Sequence, residues 1–121
     1  MKKILVIDDD EIVRRYFSSL LARLGYEVEC AEDGKSGLAA ATNPEIGLII
    51  SDLFMPGAPY GIELIRQMRA ARPDCPIVVI SGESDTHTVE ECNRLGVNDF
   101  LTKPFEMGFI RSVLDRLMPQ S

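Results

Sequence analysis

Acidic, hydroxyl and ammonium side chains stand directly after strand-like apolar segments of this sequence. Asp8 and Asp9 follow the first apolar run, and Asp52 follows a later one. Ser81 and Lys103 stand at the ends of two further runs. Because the strands of a parallel sheet all end at the same edge, these side chains are expected to meet in one crevice. Carboxylates, a hydroxyl and an ammonium in one place can bind a cation and handle a phosphoryl group.

The clustered acids require a compensating cation. Two carboxylates about 4 Å apart repel by about 4 kcal/mol at an effective dielectric constant of about 20. Asp8, Asp9 and Asp52 supply only oxygen ligands with no His or Cys beside them, which favours Mg²⁺ or a similar hard ion. Lys103 is a natural counter-ion, and the Lys103–Pro104 bond is a candidate cis peptide that would direct the ammonium into the crevice.

Five strand-like segments alternate with five helical ones, which predicts a parallel sheet with helices on both faces. The predicted strands are residues 3–7, 27–31, 46–51, 76–81 and 99–102. The predicted helices are residues 12–24, 35–42, 62–71, 84–95 and 109–117. The first, third and fourth strands are nearly unbroken apolar runs, as buried central strands are. The second strand alternates between apolar and polar residues and the fifth is short, so both are expected at the edges. The strand order 2-1-3-4-5 satisfies this and puts the acids at the switch point between the first and third strands.

Size and charge exclude several classes of protein. A chain of 121 residues is one domain with a single core, and its net charge of −6 argues against a nucleic-acid partner. Residues 1–7 are too short for a signal peptide, and no apolar run is long enough to span a membrane. Cys30, Cys75 and Cys92 show no metal-ligand spacing and are expected to be buried or half-buried thiols in a reducing cytoplasm.

Several polar residues have simpler interpretations than a site. Asp10 is expected at the first helix N-terminus, where an acidic side chain is favourable. His87 has no partner ligands and is expected to face solvent. The arginines of the first and third helices are expected to be surface charges: Arg14, Arg15, Arg66, Arg69 and Arg72.

Four motifs, each at a strand end, resemble the receiver domain of two-component response regulators, in particular single-domain chemotaxis regulators. They are Ile7–Asp9, Ser51–Pro56, Ile80–Gly82 and Leu101–Phe105, and the resemblance extends from Ile4 to Leu117. It implies a flavodoxin-like, doubly wound α/β fold with one receiver domain over residues 1–121. It also implies a cytoplasmic phosphorelay protein, not a turnover enzyme, that accepts a phosphoryl group from a sensor histidine kinase or phosphotransfer protein.

The resemblance assigns roles for phosphoryl transfer. Asp52 would be the phosphoacceptor, and Ser81 and Lys103 would contact the phosphoryl oxygens. Phe100 matches an aromatic switch position that turns inward when the hydroxyl of Ser81 moves toward the phosphoryl group. The fourth helix, fifth strand and fifth helix would then form the face for a downstream target, an output domain or a second copy.

The resemblance also implies the Mg²⁺ ligands. Asp9, Asp52 and the backbone carbonyl of Phe54 would bind the ion directly, with Asp8 assisting through water. Such residues supply charge neutralisation and alignment, which are the main needs of phosphoryl transfer.

Two departures from the family pattern lie near Asp52. The segment Gly57–Gly61 is one residue longer than is usual in receivers, and Tyr60 stands where an Asp is common. Phe54 and Glu83 occupy the positions that tune phosphoryl lifetime, and we hypothesise that Phe54 shields an acyl phosphate from water.

Two other functions remain open from the sequence. Asp8 and Asp10 form the Asp-x-Asp of a haloacid-dehalogenase-type phosphohydrolase, with Asp8 as nucleophile, although the second acidic pair of that class is missing. A receiver-like scaffold that no longer takes phosphate is the other. The kinase and pathway, and whether the chain acts alone or comes from a longer regulator, are also left open.

Overall fold

A computed structural model describes residues 3–82, 85–103 and 107–118. The strands β1 to β5 are Lys3–Ile7, Glu27–Ala31, Ile46–Asp52, Ile77–Ser81 and Asp99–Thr102. The helices α1 to α5 are Glu11–Arg23, Gly34–Ala41, Gly61–Ala71, Thr86–Arg94 and Met107–Leu117. The predicted elements are therefore all present, with small shifts at their ends. Ser84, the predicted start of the fourth helix, and the Lys103–Pro104 bond lie outside the described residues.

The strands form one sheet in the order β2-β1-β3-β4-β5, and every neighbouring pair is parallel. The predicted order is thus confirmed. All residues of β4 are buried, whereas β2 and β5 are largely half-buried or exposed. This difference is what the unbroken and alternating apolar patterns predicted, since only central strands are covered on both faces.

Helices cover the two faces of the sheet through two apolar clusters. Leu5 and Ile7 of β1 belong to the cluster that includes α2, α3 and Cys92 of α4. Ile4 and Val6, which alternate with them, pack in the cluster that includes α1 and α5. Successive side chains of a strand point to opposite faces, so one short strand contributes to both halves of the core.

Aspartate side chains start three of the helices. Asp10 accepts a hydrogen bond from the Ile12 amide at 2.9 Å, which confirms it as the N-cap of α1. Asp33 caps α2 by accepting from the Ser36 amide, and Asp85 caps α4 by accepting from the Thr88 amide. Ile12 itself is 77% exposed, so the buried face of α1 is narrower than its apolar pattern predicted.

Arg69 and Arg72 are not surface charges, contrary to the prediction. Arg69 donates to the carbonyls of Cys75 at 2.6 Å and Gly96 at 2.7 Å. Arg72 donates to the Ala41 carbonyl at 2.8 Å, among others. Both guanidinium groups thereby satisfy carbonyls where helices end and strands begin, at the edge of the sheet opposite Asp52.

The cysteine prediction is correct for two of three residues. Cys75 and Cys92 are buried, and burial raises the pKa of the Cys92 thiol to about 11. Cys30 is exposed instead, because it lies on the edge strand β2.

His87 is exposed as predicted. Among the helices of the described residues, none has the length and apolar character that a bilayer span requires.

Candidate functional site

The carboxyl ends of β1 and β3 bring three aspartates together. Ile7 pairs with Ser51 across these neighbouring strands, so Asp8 and Asp52 occupy matching positions at the sheet edge. One carboxylate oxygen each from Asp8, Asp9 and Asp52 lies within 4.8 Å of the others. The juxtaposition predicted from the strand ends is therefore present.

Asp8 lies fully buried at the base of this cluster. Its Oδ1 accepts from the Asp10 amide at 2.9 Å and its Oδ2 accepts from Lys103 Nζ at 3.0 Å. Burial raises the pKa of Asp8, and these two hydrogen bonds only partly oppose that effect. Asp8 is thus held in place on both oxygens, whereas Asp9 is exposed.

Asp52 ends β3 and is only 7% exposed. Its Oδ1 accepts from the Leu53 amide at 2.7 Å, and its Oδ2 accepts from Lys103 Nζ at 3.2 Å. A strand end and two hydrogen bonds therefore fix the orientation of the carboxylate.

Lys103 directly follows the edge strand β5 and links it to the acidic cluster. Burial alone would lower the pKa of Lys103, but the hydrogen bond to Asp8 and the charges of Asp52 and Asp8 outweigh it and raise the pKa. The side chain is therefore a cation at neutral pH. Its backbone amide donates to the Ser81 carbonyl at 2.7 Å, which places it beside the end of β4.

Three further residues that were predicted for the site differ in burial: Ser81, Phe100 and Phe54. Ser81 is buried at the end of β4, next to the strand that carries Asp52. Phe100 is half-buried on β5, opposite Val79. Phe54, two residues after Asp52, is 48% exposed. Glu83 lies outside the described residues.

The segment Gly57–Gly61 forms a closed loop. The Gly61 amide donates to the Leu53 carbonyl at 2.7 Å, and the Ala58–Pro59 bond is cis. Gly57 and Gly61 have positive φ angles of 84° and 62°, which glycine adopts without strain. The sequence left this loop conformation open. In the structure a glycine with a positive φ angle stands at each end, and a hydrogen bond ties the second of these glycines to Leu53.

This loop rests on the first residue of α2. A Cβ atom at Gly34 would lie 1.9 Å from the Pro59 carbonyl oxygen. Only glycine, which lacks a Cβ atom, fits there unless the loop moves. The contact therefore links the loop that follows Asp52 to a helix on the same face of the sheet.

The donor set of the acidic cluster fits a hard divalent cation. Asp8, Asp9 and Asp52 offer carboxylate oxygens only, and within the described residues they are the one group of this kind. One Lys103 ammonium against three carboxylates leaves an uncompensated negative charge. Asp9 is exposed, so a cation with bound waters could reach the cluster from solvent.

Arg14 is the site residue that the sequence analysis missed. It was expected to be a surface charge, but its Nη1 donates to the Asp8 backbone carbonyl at 2.7 Å. Long side chains on a helix lean toward its N-terminus, so an arginine one turn into α1 reaches back to the preceding turn. That geometric rule is the signal that could have identified it.

The sequence matches the family described as "Response regulator receiver domain" over residues 4–115. The chain belongs to this family. The receiver domain assignment does not favour the phosphohydrolase alternative, in which Asp8 would be the nucleophile.

Relatives of this receiver domain include regulators of different architecture. The transcriptional regulatory protein FixJ of Bradyrhizobium diazoefficiens is 35% identical over 118 residues, which cover 98% of this chain and 57% of FixJ. The crystal structure of Vibrio cholerae chemotaxis protein CheY4 is 32% identical with a TM-score of 0.87, covering 98% of this chain and 99% of that one. The chain spans about half the length, or less, of the first curated relatives.

A third similar structure is described with a modified aspartate. It is a response regulator from Burkholderia pseudomallei with a phosphorylated aspartic acid, calcium ion and citrate. It is 30% identical with a TM-score of 0.83, and the match covers 98% of this receiver domain and 67% of that chain. Receiver domains as a class accept phosphoryl groups and bind Mg²⁺ at an acidic pocket.

Proposed function

We propose that this receiver domain takes a phosphoryl group onto Asp52, that residues 1–121 act as one domain, and that Mg²⁺ is the cofactor. The observation that carries the proposal is the position of Asp52, which ends a central strand, accepts a hydrogen bond from Lys103 and lies beside the carboxylates of Asp8 and Asp9. The phosphorylated aspartic acid of the Burkholderia pseudomallei regulator supports it.

The transfer needs one new bond and one broken bond. A carboxylate oxygen of Asp52 attacks the phosphorus of a phosphohistidine, and the N–P bond breaks as the O–P bond forms. The imidazole leaves with the electron pair of the broken bond. Lys103 stabilises negative charge on the transferring oxygens, and the rigid strand end keeps Asp52 aligned.

The Mg²⁺ ligands we propose are Asp9 and Asp52 directly, the backbone carbonyl of Phe54, and Asp8 through water. Asp8 is fully buried at the base of the cluster, which supports an indirect role for it. The exposed carboxylate of Asp9 is the one best placed to exchange solvent for a cation. When bound, the ion neutralises charge on the phosphoryl oxygens.

We propose that Ser81 and Phe100 report phosphorylation to the face formed by α4, β5 and α5. Ser81 would contact a phosphoryl oxygen, and Phe100 would turn inward as Ser81 moves. Phe100 is only half-buried, so it has room to change its burial. On the same face Arg116 of α5 pairs with Asp99 of β5, which ties two of the elements together.

The partners we propose are a sensor histidine kinase or phosphotransfer protein upstream and a protein target or output domain downstream. A second copy is the alternative occupant of the α4–β5–α5 face. Neither nucleic acid nor a membrane is proposed as a direct partner, given the net charge of −6. The cysteines at positions 30, 75 and 92 form no disulfide bond within the described residues, which supports a reducing, cytoplasmic compartment.

The test is phosphorylation by acetyl phosphate with Mg²⁺, followed by intact-protein mass spectrometry. The wild-type chain should gain one phosphoryl group, and Asp52→Asn should gain none. Asp8→Asn serves as the comparison, because a phosphoryl group that is retained in Asp52→Asn and lost in Asp8→Asn would identify the phosphohydrolase chemistry. A magnesium-dependent response to acetyl phosphate or beryllofluoride that survives Asp52→Asn would refute the assignment.

A further inference from the structure

Arg14 and Arg15 are neighbours in α1 but have different surroundings. Arg15 is 79% exposed at its side chain and pairs with Glu11 one turn away at 2.9 Å. Arg14 is half-buried and reaches the turn between β1 and α1, where its Nη1 lies 2.7 Å from the Asp8 carbonyl oxygen. A hydrogen bond from a charged donor is stronger than one between neutral groups.

The turn that carries Asp9 is held by several hydrogen bonds of the preceding residue, Asp8. The Asp8 amide donates to the Ala31 carbonyl at 3.1 Å, and the Asp8 carboxylate accepts from the Asp10 amide. The Asp8 carbonyl, which belongs to the peptide that joins Asp8 to Asp9, is held by Arg14. The orientation of that peptide sets the direction in which Asp9 leaves the turn.

We infer that Arg14 is a positioning residue for the cation site, and this inference rests on the proposed function. Its hydrogen bond fixes the Asp8–Asp9 peptide so that the exposed Asp9 carboxylate faces Asp52. Outer groups that orient metal ligands in this way commonly affect metal affinity by about 10-fold to 100-fold. Arg14 itself contacts neither the cation nor the phosphoryl group.

Charge and positioning predict opposite effects when Arg14 is replaced. A guanidinium close to a cation site repels the cation, so loss of its charge alone would tighten Mg²⁺ binding. Loss of the hydrogen bond would let Asp9 leave its binding orientation and would weaken Mg²⁺ binding. The sign of the change therefore separates the two roles.

The experiment measures Mg²⁺ affinity of the unphosphorylated protein by NMR titration of backbone amides. Arg14→Met removes charge and hydrogen bond while keeping the aliphatic stem. Arg14→Lys keeps the charge without the planar guanidinium. Arg15→Met is the matched control, because it removes the same charge one residue away. We expect Mg²⁺ binding about 10-fold weaker in Arg14→Met, weaker also in Arg14→Lys, and unchanged or slightly tighter in Arg15→Met.

A second readout separates positioning from general damage to the fold. The rate of phosphorylation by acetyl phosphate in Arg14→Met should fall at low Mg²⁺ and return to the wild-type value at saturating Mg²⁺. A rate that stays low at saturation overturns the inference, and so does Mg²⁺ binding in Arg14→Met as tight as in Arg15→Met. If Arg14→Met does not fold, wild-type affinity in Arg14→Lys overturns it. Absence of Mg²⁺ binding in the wild type would refute the proposed function as well.

Discussion

Four aspartates near one sheet edge have four different environments. Asp8 is fully buried and bonded through both oxygens, Asp9 is exposed, Asp10 caps a helix and Asp52 is almost buried beside Lys103. Their chemistry is identical, so burial and hydrogen bonding decide what each can do. The exposed Asp9 has the least structural support and the most access to solvent.

Asp9→Asn tests the repulsion within the acidic cluster. Without metal, loss of one charge near Asp8 and Asp52 should raise the melting temperature by about 3 °C. Asp10→Asn is the control, since it removes a charge nearby while preserving a good N-cap. The measurement is the melting temperature of both variants by calorimetry in a chelating buffer. A lower melting temperature for Asp9→Asn would instead indicate a structural hydrogen bond.

Phe54→Ala tests whether an aromatic side chain shields the acyl phosphate. Phe54 stands two residues after Asp52, and its Cε1 lies 3.9 Å from the point that a Cβ at Gly61 would occupy. We expect dephosphorylation about 10-fold faster in Phe54→Ala, equivalent to about 1.4 kcal/mol of activation free energy. The measurement is the decay of the loaded protein after removal of acetyl phosphate.

Tyr60→Ala is the control for Phe54→Ala. Tyr60 is a second exposed aromatic residue between β3 and α3, and it stands at the N-cap of α3. Its replacement should leave the decay rate unchanged. An unchanged rate in Phe54→Ala as well would show that Phe54 does not shield the phosphoryl group.

At the scale of elements, the loop after β3 is held by α2. The Pro59 carbonyl fills the space where a side chain at Gly34 would begin, and the Gly61 amide ties the loop end to Leu53. Both contacts involve backbone atoms, which cannot turn away as a side chain can. A change on α2 should therefore be transmitted to the loop beside Asp52.

Gly34→Ala should destabilise the protein by about 1–3 kcal/mol, because the added methyl overlaps the Pro59 carbonyl. Gly108→Ala is the matched control near the start of α5, where an added Cβ meets nothing within 4 Å among the described residues. That control should be neutral or stabilising by up to about 1 kcal/mol. Urea denaturation compares the two. Equal stability of both variants would mean that the loop moves away from the added methyl group at little cost in free energy.

At the scale of the whole molecule, stability in acid depends on groups acting in opposite directions. The pKa of Asp33 is lowered by hydrogen bonds from Ser36, and that of Asp85 by hydrogen bonds from Thr88. These caps stabilise the fold above the ordinary carboxyl pKa, and their effect is lost as pH falls through the lowered values. The pKa of Asp8 is raised, so this carboxylate takes up a proton at a higher pH in the folded protein than in the unfolded chain. That uptake stabilises the folded state as pH falls and opposes the loss.

The double variant Asp33→Asn/Asp85→Asn tests the contribution of these caps. Asparagine caps a helix about as well as aspartate but does not titrate. Between about pH 5 and about pH 3, the melting temperature of the double variant should therefore fall less than that of the wild type. Parallel melting curves across this range would assign the acid sensitivity to other groups.

The order of the sheet and the meeting of Asp8, Asp9, Asp52 and Lys103 followed from the sequence. Apolar runs identify strands, alternation identifies edge strands, and the parallel arrangement places all strand ends together. Each of these rules concerns local patterns or the general topology of α/β folds. For that reason the sequence alone is sufficient to locate the candidate site.

Only the tertiary structure decided where the longer side chains and the loop come to rest. Arg69 and Arg72 bind carbonyls of distant elements, and Pro59 meets Gly34. Such contacts depend on the distance between elements far apart in the chain and on the final direction of flexible side chains. A linear pattern contains neither quantity, so it does not distinguish these half-buried arginines from arginines on the surface.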